Sequence, residues 1–363
     1  MSEEFDIISF LKSAVVSKAS DEHLMVGQPP FIRKNGFMKR VANMPVLTKA
    51  DIDKALYVIS PDTLRDTITN HKDMDFIFEV EGVSRFRVNY SRERGEPACV
   101  IRNIPYKIPT LEELKLPEIL HSFAKYNNGI VIVTGPTGSG KSTTLSSIIN
   151  EININYAKHI VTIEDPIEYI YSSHKSRVSQ RQLGIDTDSY SDGIKYSLRQ
   201  DPDVIFIGEI RDKDTMEAAL KAAETGHLVF TTLHTNDAVQ TINRIINMFD
   251  ETNRNIIRKQ LSETIRATVA QKLVYSAQNK KRYPALEVMI VTPTIKDYMQ
   301  KDNLEEIYNL ISSNLSDGMT SLNNSLVNLV NAGCLSSEEA LEASNDKNEM
   351  SKLLRGAYTG TKL

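Results

Sequence analysis

The chain has no tryptophan and only two cysteines in 363 residues. Cys99 and Cys334 lie far apart and form no C-x-x-C pair, so neither a zinc module nor a disulfide framework is indicated. Charge of one sign is also lacking: the formal net charge is −4. That balance excludes the broad basic field of a nucleic-acid binder, and no basic patch with interleaved aromatics replaces it. No apolar run approaches the ~20 residues a membrane-spanning helix needs. The opening Met1-Ser2-Glu3-Glu4-Phe5-Asp6 lacks the basic and apolar segments of a signal peptide. The expectation is a cytoplasmic chain with no nucleic-acid partner and no direct membrane insertion. There is no low-complexity tract or internal repeat, and the length suffices for two domains.

What the chain does have is Gly135-Pro136-Thr137-Gly138-Ser139-Gly140-Lys141-Ser142-Thr143. This fits G-x-x-x-x-G-K-[ST], the phosphate-binding P-loop. The apolar run Gly129–Thr134 before it reads as a buried parallel strand, and Thr143–Asn150 reads as the first turns of a helix. Glycines let backbone N–H groups face phosphates, and the helix N-terminus adds positive potential. Lys141 can reach the β- and γ-phosphates, and Ser142 can give an oxygen to Mg²⁺. A chance glycine turn would not bring strand and helix with it. The loop alone specifies a nucleoside triphosphate, not its use.

Before it, Phe5–Val16 has the spacing of an amphipathic helix. His23–Gly27 and Phe31–Lys34 read as short strands, the second bounded by Pro29-Pro30 and Asn35-Gly36. Thr48 can cap a helix to about Val58, and Ser60-Pro61 can open another. Asp75–Val80, Arg85–Tyr90 and Ala98–Arg102 read as strands joined at Glu81-Gly82 and Arg94-Gly95. Helices beside a small antiparallel sheet make an α+β domain. Arg85 and Arg87 share one face of a strand, with Arg92, Arg94 and Arg102 nearby. A solvated sheet face is the ordinary fate of such charges. The alternative is an arginine finger for a phosphate in a neighbouring subunit.

Prolines crowd Ile104–Pro117, which reads as a linker with Pro117 opening a helix. His159–Ile163 is a second core strand, ending in Glu164-Asp165-Pro166-Ile167-Glu168. Carboxylates at that end of a strand lie beside the ligand site of an open α/β sheet. Glu164 can polarise a water for attack on the γ-phosphate or help order the metal shell. Val178–Gln182 is polar and of unassigned structure. Val204–Ile207 followed by Gly208-Glu209 resembles a Walker B strand with glycine in the Asp place. Glu209 then serves Mg²⁺, the attacking water, or both. Thr215–Glu224 is a helix of strong formers, ended by Thr225-Gly226-His227. Leu228–Thr232 is a further strand, and His234 follows it. Helices are expected over Asp237–Met248 and Arg254–Thr268, then strands over Val269–Val274 and Leu286–Val291.

These boxes, in this order, resemble the Walker A, Asp box, atypical Gly-Glu Walker B and His box of the secretion/traffic ATPases. The Gly208-Glu209 departure is usual there. Ala19-Ser20-Asp21, His23, Gly27–Pro30, Asn35-Gly36, Arg85–Val88 and Leu114–Pro117 extend the likeness to the type IV pilus retraction motors, the PilT and PilU group. Thr292–Tyr298 and Ser344–Leu354 look more like PilU. Glu306–Ile311 falls at PilT's AIRNLIRE-like stretch, where Asn309-Leu310-Ile311 matches.

The resemblance implies an α/β protein: a PAS-like α+β domain, then a RecA-like ATPase core with a C-terminal helical subdomain. The boundaries expected are 1–104, a linker at 105–117, 118–291 and 292–356, with a flexible tail at 357–363. It implies a cytoplasmic homohexamer using ATP and Mg²⁺, with ATP at the junction of the two domains. It adds His227 and His234 as His-box residues. It makes Arg85, Arg87 and Arg102, with Arg94 weaker, the arginines that complete a site. The implied partner is an inner-membrane pilus platform protein, with a paralogous PilT or PilU motor as a second, and ATP cycling swings one domain against the other.

After Ile290 helices are expected at Pro293, at Leu304–Ser312, beyond Gly318, and after Ser336, where Ser-x-x-Glu makes a capping box. Two other readings stand beside a retraction motor. One is a pilus-assembly or secretion ATPase, a class that generally adds an N-terminal domain and often a four-cysteine zinc module. The other is a weakly active accessory subunit that joins a stronger motor.

Overall fold

The computed structural model describes residues 5–104, 106–313 and 318–358. It divides into two compact units, Met1–Lys107 and Ile108–Leu363.

The first unit opens with α1 (Ile7–Val16), capped by Asp6, whose carboxylate accepts from the Ile8 N–H at 3.0 Å. Strands β1 (Asp21–Met25), β2 (Phe31–Lys34) and β3 (Phe37–Arg40) follow, then α2 (Lys49–Ile59). Thr48 and Asp51 close a capping box on α2. Strands β4 (Asp73–Val80), β5 (Ser84–Glu93) and β6 (Glu96–Ile104) complete an antiparallel sheet of order β3-β2-β1-β6-β5-β4. Strand alternation decides its two faces. Phe86, Val88 and Tyr90 of β5 are buried with Leu11 of α1 and Ile52 and Leu56 of α2. Truncating a core ring such as Phe86 to alanine costs about 3–5 kcal/mol. Arg85 and Arg87 fall on the other face.

Two expectations change in this unit. No α-helix starts at Ser60-Pro61. The Ser60 hydroxyl donates back to the Leu56 carbonyl at 2.6 Å and so closes α2. Isolated turns and a 3₁₀ turn at Ile68–Asn70 follow. The second change is β3, which the Asn35-Gly36 turn folds onto β2 as a hairpin.

In the second unit a 3₁₀ run, Glu118–Lys125, follows Pro117. Then come β7 (Gly129–Thr134), α3 (Lys141–Asn155), β8 (His159–Glu164), β9 (Arg177–Gln182), α4 (Tyr190–Ser197), β10 (Val204–Ile207) and α5 (Lys213–Glu224). After them come β11 (Leu228–Leu233), α6 (Ala238–Ile246), α7 (Arg254–Thr264), β12 (Ile265–Ser276) and β13 (Lys281–Ile290). The sheet order is β13-β12-β7-β11-β10-β8-β9, parallel except for β13. Both faces are covered, which is why its central strands read as unbroken apolar runs. Ile130 and Ile132 of β7 pack with α4–α7, while Val131 and Val133 pack with α3 and the 3₁₀ run. Ile108 and Leu111, within the expected linker, are buried in this second cluster.

The polar segment Val178–Gln182 is the edge strand β9, paired with β8. Helix α7 stops at Thr264, four residues short of its expected end, because Ile265 and Ala267–Thr268 join the sheet beside β7.

The last elements are α8 (Pro293–Gln300), α9 (Glu305–Ser312), α10 (Leu322–Asn331), α11 (Ser337–Ala343) and α12 (Lys347–Tyr358). Ile295 and Met299 of α8 and Ile307 and Ile311 of α9 join the main core. By contrast α10–α12 form a separate cluster on Val274 and Ala285 of the β12–β13 hairpin. Beyond Tyr358 the tail expected from residue 357 lies outside the described residues.

Candidate active site

The P-loop leaves the C-terminal end of β7 and closes into α3, whose N-cap is Gly140 in a left-handed conformation (φ 89°). At Gly135 φ is 143°, and a Cβ there would stand 2.3 Å from the Gln271 carbonyl oxygen. Only glycine fits. The Lys141 ammonium is buried and donates to the carbonyls of Gly135 at 2.9 Å and Pro136 at 3.1 Å. Burial holds its pKa below the ordinary lysine value, against the attraction of Glu209 and Glu168. Ser142 and Thr143 are half-buried on the first turn of α3, with Thr143 Oγ1 3.4 Å from Tyr169 Oη.

Glu164 ends β8 and is 4 % exposed. Its carboxylate accepts from Thr162 Oγ1 at 2.7 Å, and from the Glu168 N–H and Gln180 Nε2 at 3.3 Å each. Burial pushes its pKa up to about 7, although those hydrogen bonds pull it down.

Gly208 leaves β10 beside Glu164. A Cβ on it would lie 3.2 Å from Tyr190 Oη and 3.4 Å from Glu164 Cα, so the glycine in the Asp place answers to packing. Thr232 of β11 donates to the Gly208 carbonyl at 2.7 Å, lacing the two strand ends together. Glu209 then meets His234, with Nε2 to Oε2 at 3.2 Å, and pairs with Arg211. Burial alone would raise the Glu209 pKa, but Arg211 and His234 outweigh it and hold the carboxylate below its usual value. The result is an ionised carboxylate over the end of the parallel sheet.

The other candidates lie elsewhere. His227 precedes β11 at the edge where the parallel strands begin, opposite the loop. Its Nδ1 lies 3.0 Å from the Ala222 carbonyl and 3.2 Å from Thr225 Oγ1, a bond to the last turn of α5. It is therefore not part of the Lys141–Glu209–His234 group of its own unit. Arg85, Arg87 and Arg102 belong to the first unit. Arg87 and Arg102 stand directly opposite on β5 and β6. Arg102 Nε donates to Asp21 at 2.8 Å, Arg87 lies 3.6 Å from Asp75, and Arg85 Nη1 is buried without a hydrogen-bond partner.

One residue carried no motif signal. Gln271 of β12 is 3 % exposed, and its amide bonds to both the loop and α3. A lone glutamine amid the apolar residues of a central strand was the available clue. Beyond the loop tip, Pro136–Ser139 border a cavity of about 630 Å³ lined also by Lys272, Tyr275, Arg282 and α11. Among the described residues no group of three or more His, Cys, Asp or Glu could hold a metal unaided. No described helix is long and apolar enough to cross a membrane.

A parallel sheet of this order, with a glycine loop and lysine between β7 and α3, defines a P-loop protein with a RecA-like core. The chain belongs to the family described as Type II/IV secretion system protein, which it matches over residues 5–352. It is 41% identical to the type IV pilus retraction ATPase PilT of Pseudomonas aeruginosa, over 93% of this chain and 97% of that one. To the type IV pilus ATPase PilU of the same organism it is 38% identical, over 95% and 90%. A crystal structure of the pilus retraction motor PilT with bound ADP superposes with a TM-score of 0.86 at 38% identity, covering 96% of this chain and 100% of that one.

Proposed function

We propose that this chain is the subunit of a homohexameric ATPase motor that retracts a type IV pilus. The observation that carries the reading is the Glu209 carboxylate, held ionised by Arg211 and His234 near a P-loop lysine. ATP would lie along Gly135–Thr143, its phosphates met by loop N–H groups and Lys141. With no cage of acidic or His/Cys ligands among the described residues, Mg²⁺ would rest on the phosphates, Ser142 and, through water, Glu209. Glu164, its pKa raised to about 7, is poised to take a proton from the attacking water. Glu209 and His234 would orient that water and the γ-phosphoryl group.

The first unit supplies cations. Like charges directly opposite in a ladder are destabilising, yet Arg87 faces Arg102. That cost, with the unpartnered Arg85 Nη1, supports a role toward phosphate in a neighbouring subunit. His227 would act toward another subunit. ATP cycling would swing the unit ending at Lys107 against the one beginning at Ile108. The motion would pass to a platform protein in the inner membrane, and the motor would sit on its cytoplasmic side, with a paralogous motor as a second partner.

Two assays test the reading. Purified protein should hydrolyse ATP, and Lys141→Ala should abolish it; indistinguishable rates would sink the enzyme assignment. Cells whose only copy carries Lys141→Ala should show more surface pili than wild type and no twitching. Bald cells would instead mean an assembly motor.

A further inference from the structure

We infer that Gln271 is a positioning residue for the phosphate loop, fixing the Ser139–Gly140 peptide and the start of α3 in the orientation that receives phosphate. This rests on the nucleotide-site reading above and adds to it a residue outside every motif.

Strand β12 runs beside β7 only as far as the Ala270–Thr134 pair. Gln271 is thus the first residue past the point where β7 gives way to the loop. Both ends of its buried amide are bonded. Nε2 donates to the Ser139 carbonyl at 2.7 Å, and Oε1 accepts from Thr144 Oγ1 at 2.8 Å. The Ser139 carbonyl can only accept, which settles which end of the amide faces it. In a trans peptide the C=O and the following N–H point in opposite directions. Drawing the Ser139 carbonyl toward Gln271 therefore turns the Gly140 N–H away from β12. Thr144 also donates its backbone N–H to the Gly140 carbonyl at 3.0 Å. One glutamine so ties loop and helix together on either side of Lys141 and Ser142. Gly140 leaves it room, since a Cβ there would lie 2.8 Å from Gln271 Nε2.

The chemistry makes a charge-sensitive test. In Gln271→Glu the ionised side chain cannot donate to Ser139. It sets two like acceptors against each other and adds negative charge near the phosphates. Protonated, the same side chain has an O–H for the Ser139 carbonyl and a C=O for Thr144, so it regains both bonds. Of the charged groups on the neighbouring elements, Lys141 starts α3, Arg282 of β13 and Glu339 and Glu342 of α11 border the cavity at Pro136–Ser139, and alternation and pairing place Lys272 and Glu287 on the opposite sheet face.

The experiment is titration of the full-length protein with a fluorescent ADP analogue and Mg²⁺ from pH 5.5 to 9, each variant set against wild type at the same pH. Gln271→Glu should bind close to wild type at the acid end and lose about tenfold or more as pH rises. Gln271→Leu should be weakened at every pH by a constant factor. A pure folding role would instead lower the thermal midpoint without a pH-dependent affinity ratio. Wild-type affinity in Gln271→Leu, or a flat Gln271→Glu ratio, would overturn the proposal. Should Gln271→Leu fail to fold, the Gln271→Glu ratio alone decides. If wild type and Lys141→Ala bind nucleotide alike, it is the nucleotide-site reading that fails.

Discussion

His234 Nε2 lies 3.2 Å from Glu209 Oε2, across the ends of two neighbouring parallel strands. The histidine is half exposed while the carboxylate is largely covered, so the pair has one face toward solvent and one toward the sheet. That arrangement leaves the pair open on its solvent side.

Glu209→Gln keeps the shape and removes the charge. Turnover should fall by about 10²–10³-fold while the affinity for ATP stays near wild type. Equilibrium binding beside steady-state hydrolysis checks this. Lost binding would contradict the role assigned to Glu209.

The pH dependence of hydrolysis tests Glu164. A base must be ionised to accept a proton, and the pKa of this carboxyl is raised by burial to about 7. The kcat should rise with pH through that region and level off above it. Glu164→Gln should be slow and flat. A wild-type profile flat from about pH 6 to 8 would move the base to another group.

Glu22 makes a separate test, of stability. It is fully buried on β1, accepts from Asn103 Nδ2 at 2.7 Å, and has its pKa raised to about 8 by burial. Its Oε2 lacks a hydrogen-bond partner as a bare carboxylate oxygen, and a proton there makes the group neutral in its buried place. A carboxyl raised from 4.5 to about 8 on folding contributes stability that is full below the lower value and lost as pH rises through the upper one. Glu22→Gln carries an N–H in place of that proton. Its thermal midpoint should gain on wild type by a few degrees between about pH 5 and 8.5.

Subunit mixing tests the arginines. Arg87→Ala should slow hydrolysis only where subunits assemble. Mixing it with Lys141→Ala subunits should restore part of the activity, because some junctions then pair an intact loop with an intact arginine. If no mixture exceeds either parent, Arg87 acts within its own chain or through Asp75.

The nucleotide loop and the core strands were legible because both leave sharp traces: a fixed spacing of glycines, and apolar runs with no polar interruption. Capping sites were equally plain at Thr48 and Ser336, where side-chain chemistry acts locally. Edge strands were harder. Strand β9 is half-exposed along most of its length, so its residues lack the burial that writes a strand into sequence. The exposed β3 is the same case. The role of Gln271 was hidden for a different reason. Its partners Ser139 and Thr144 are more than a hundred positions away, and only the closing of β12 against β7 brings them together.

Gly208 bears on how such a sequence can change. An aspartate at that place would set its Cβ 3.2 Å from Tyr190 Oη, so the tyrosine side chain would have to give by a few tenths of an ångström. A smaller residue at position 190 would remove that contact altogether. The glycine and the tyrosine are coupled by packing, so a change at one position alters what the other can hold without adjustment.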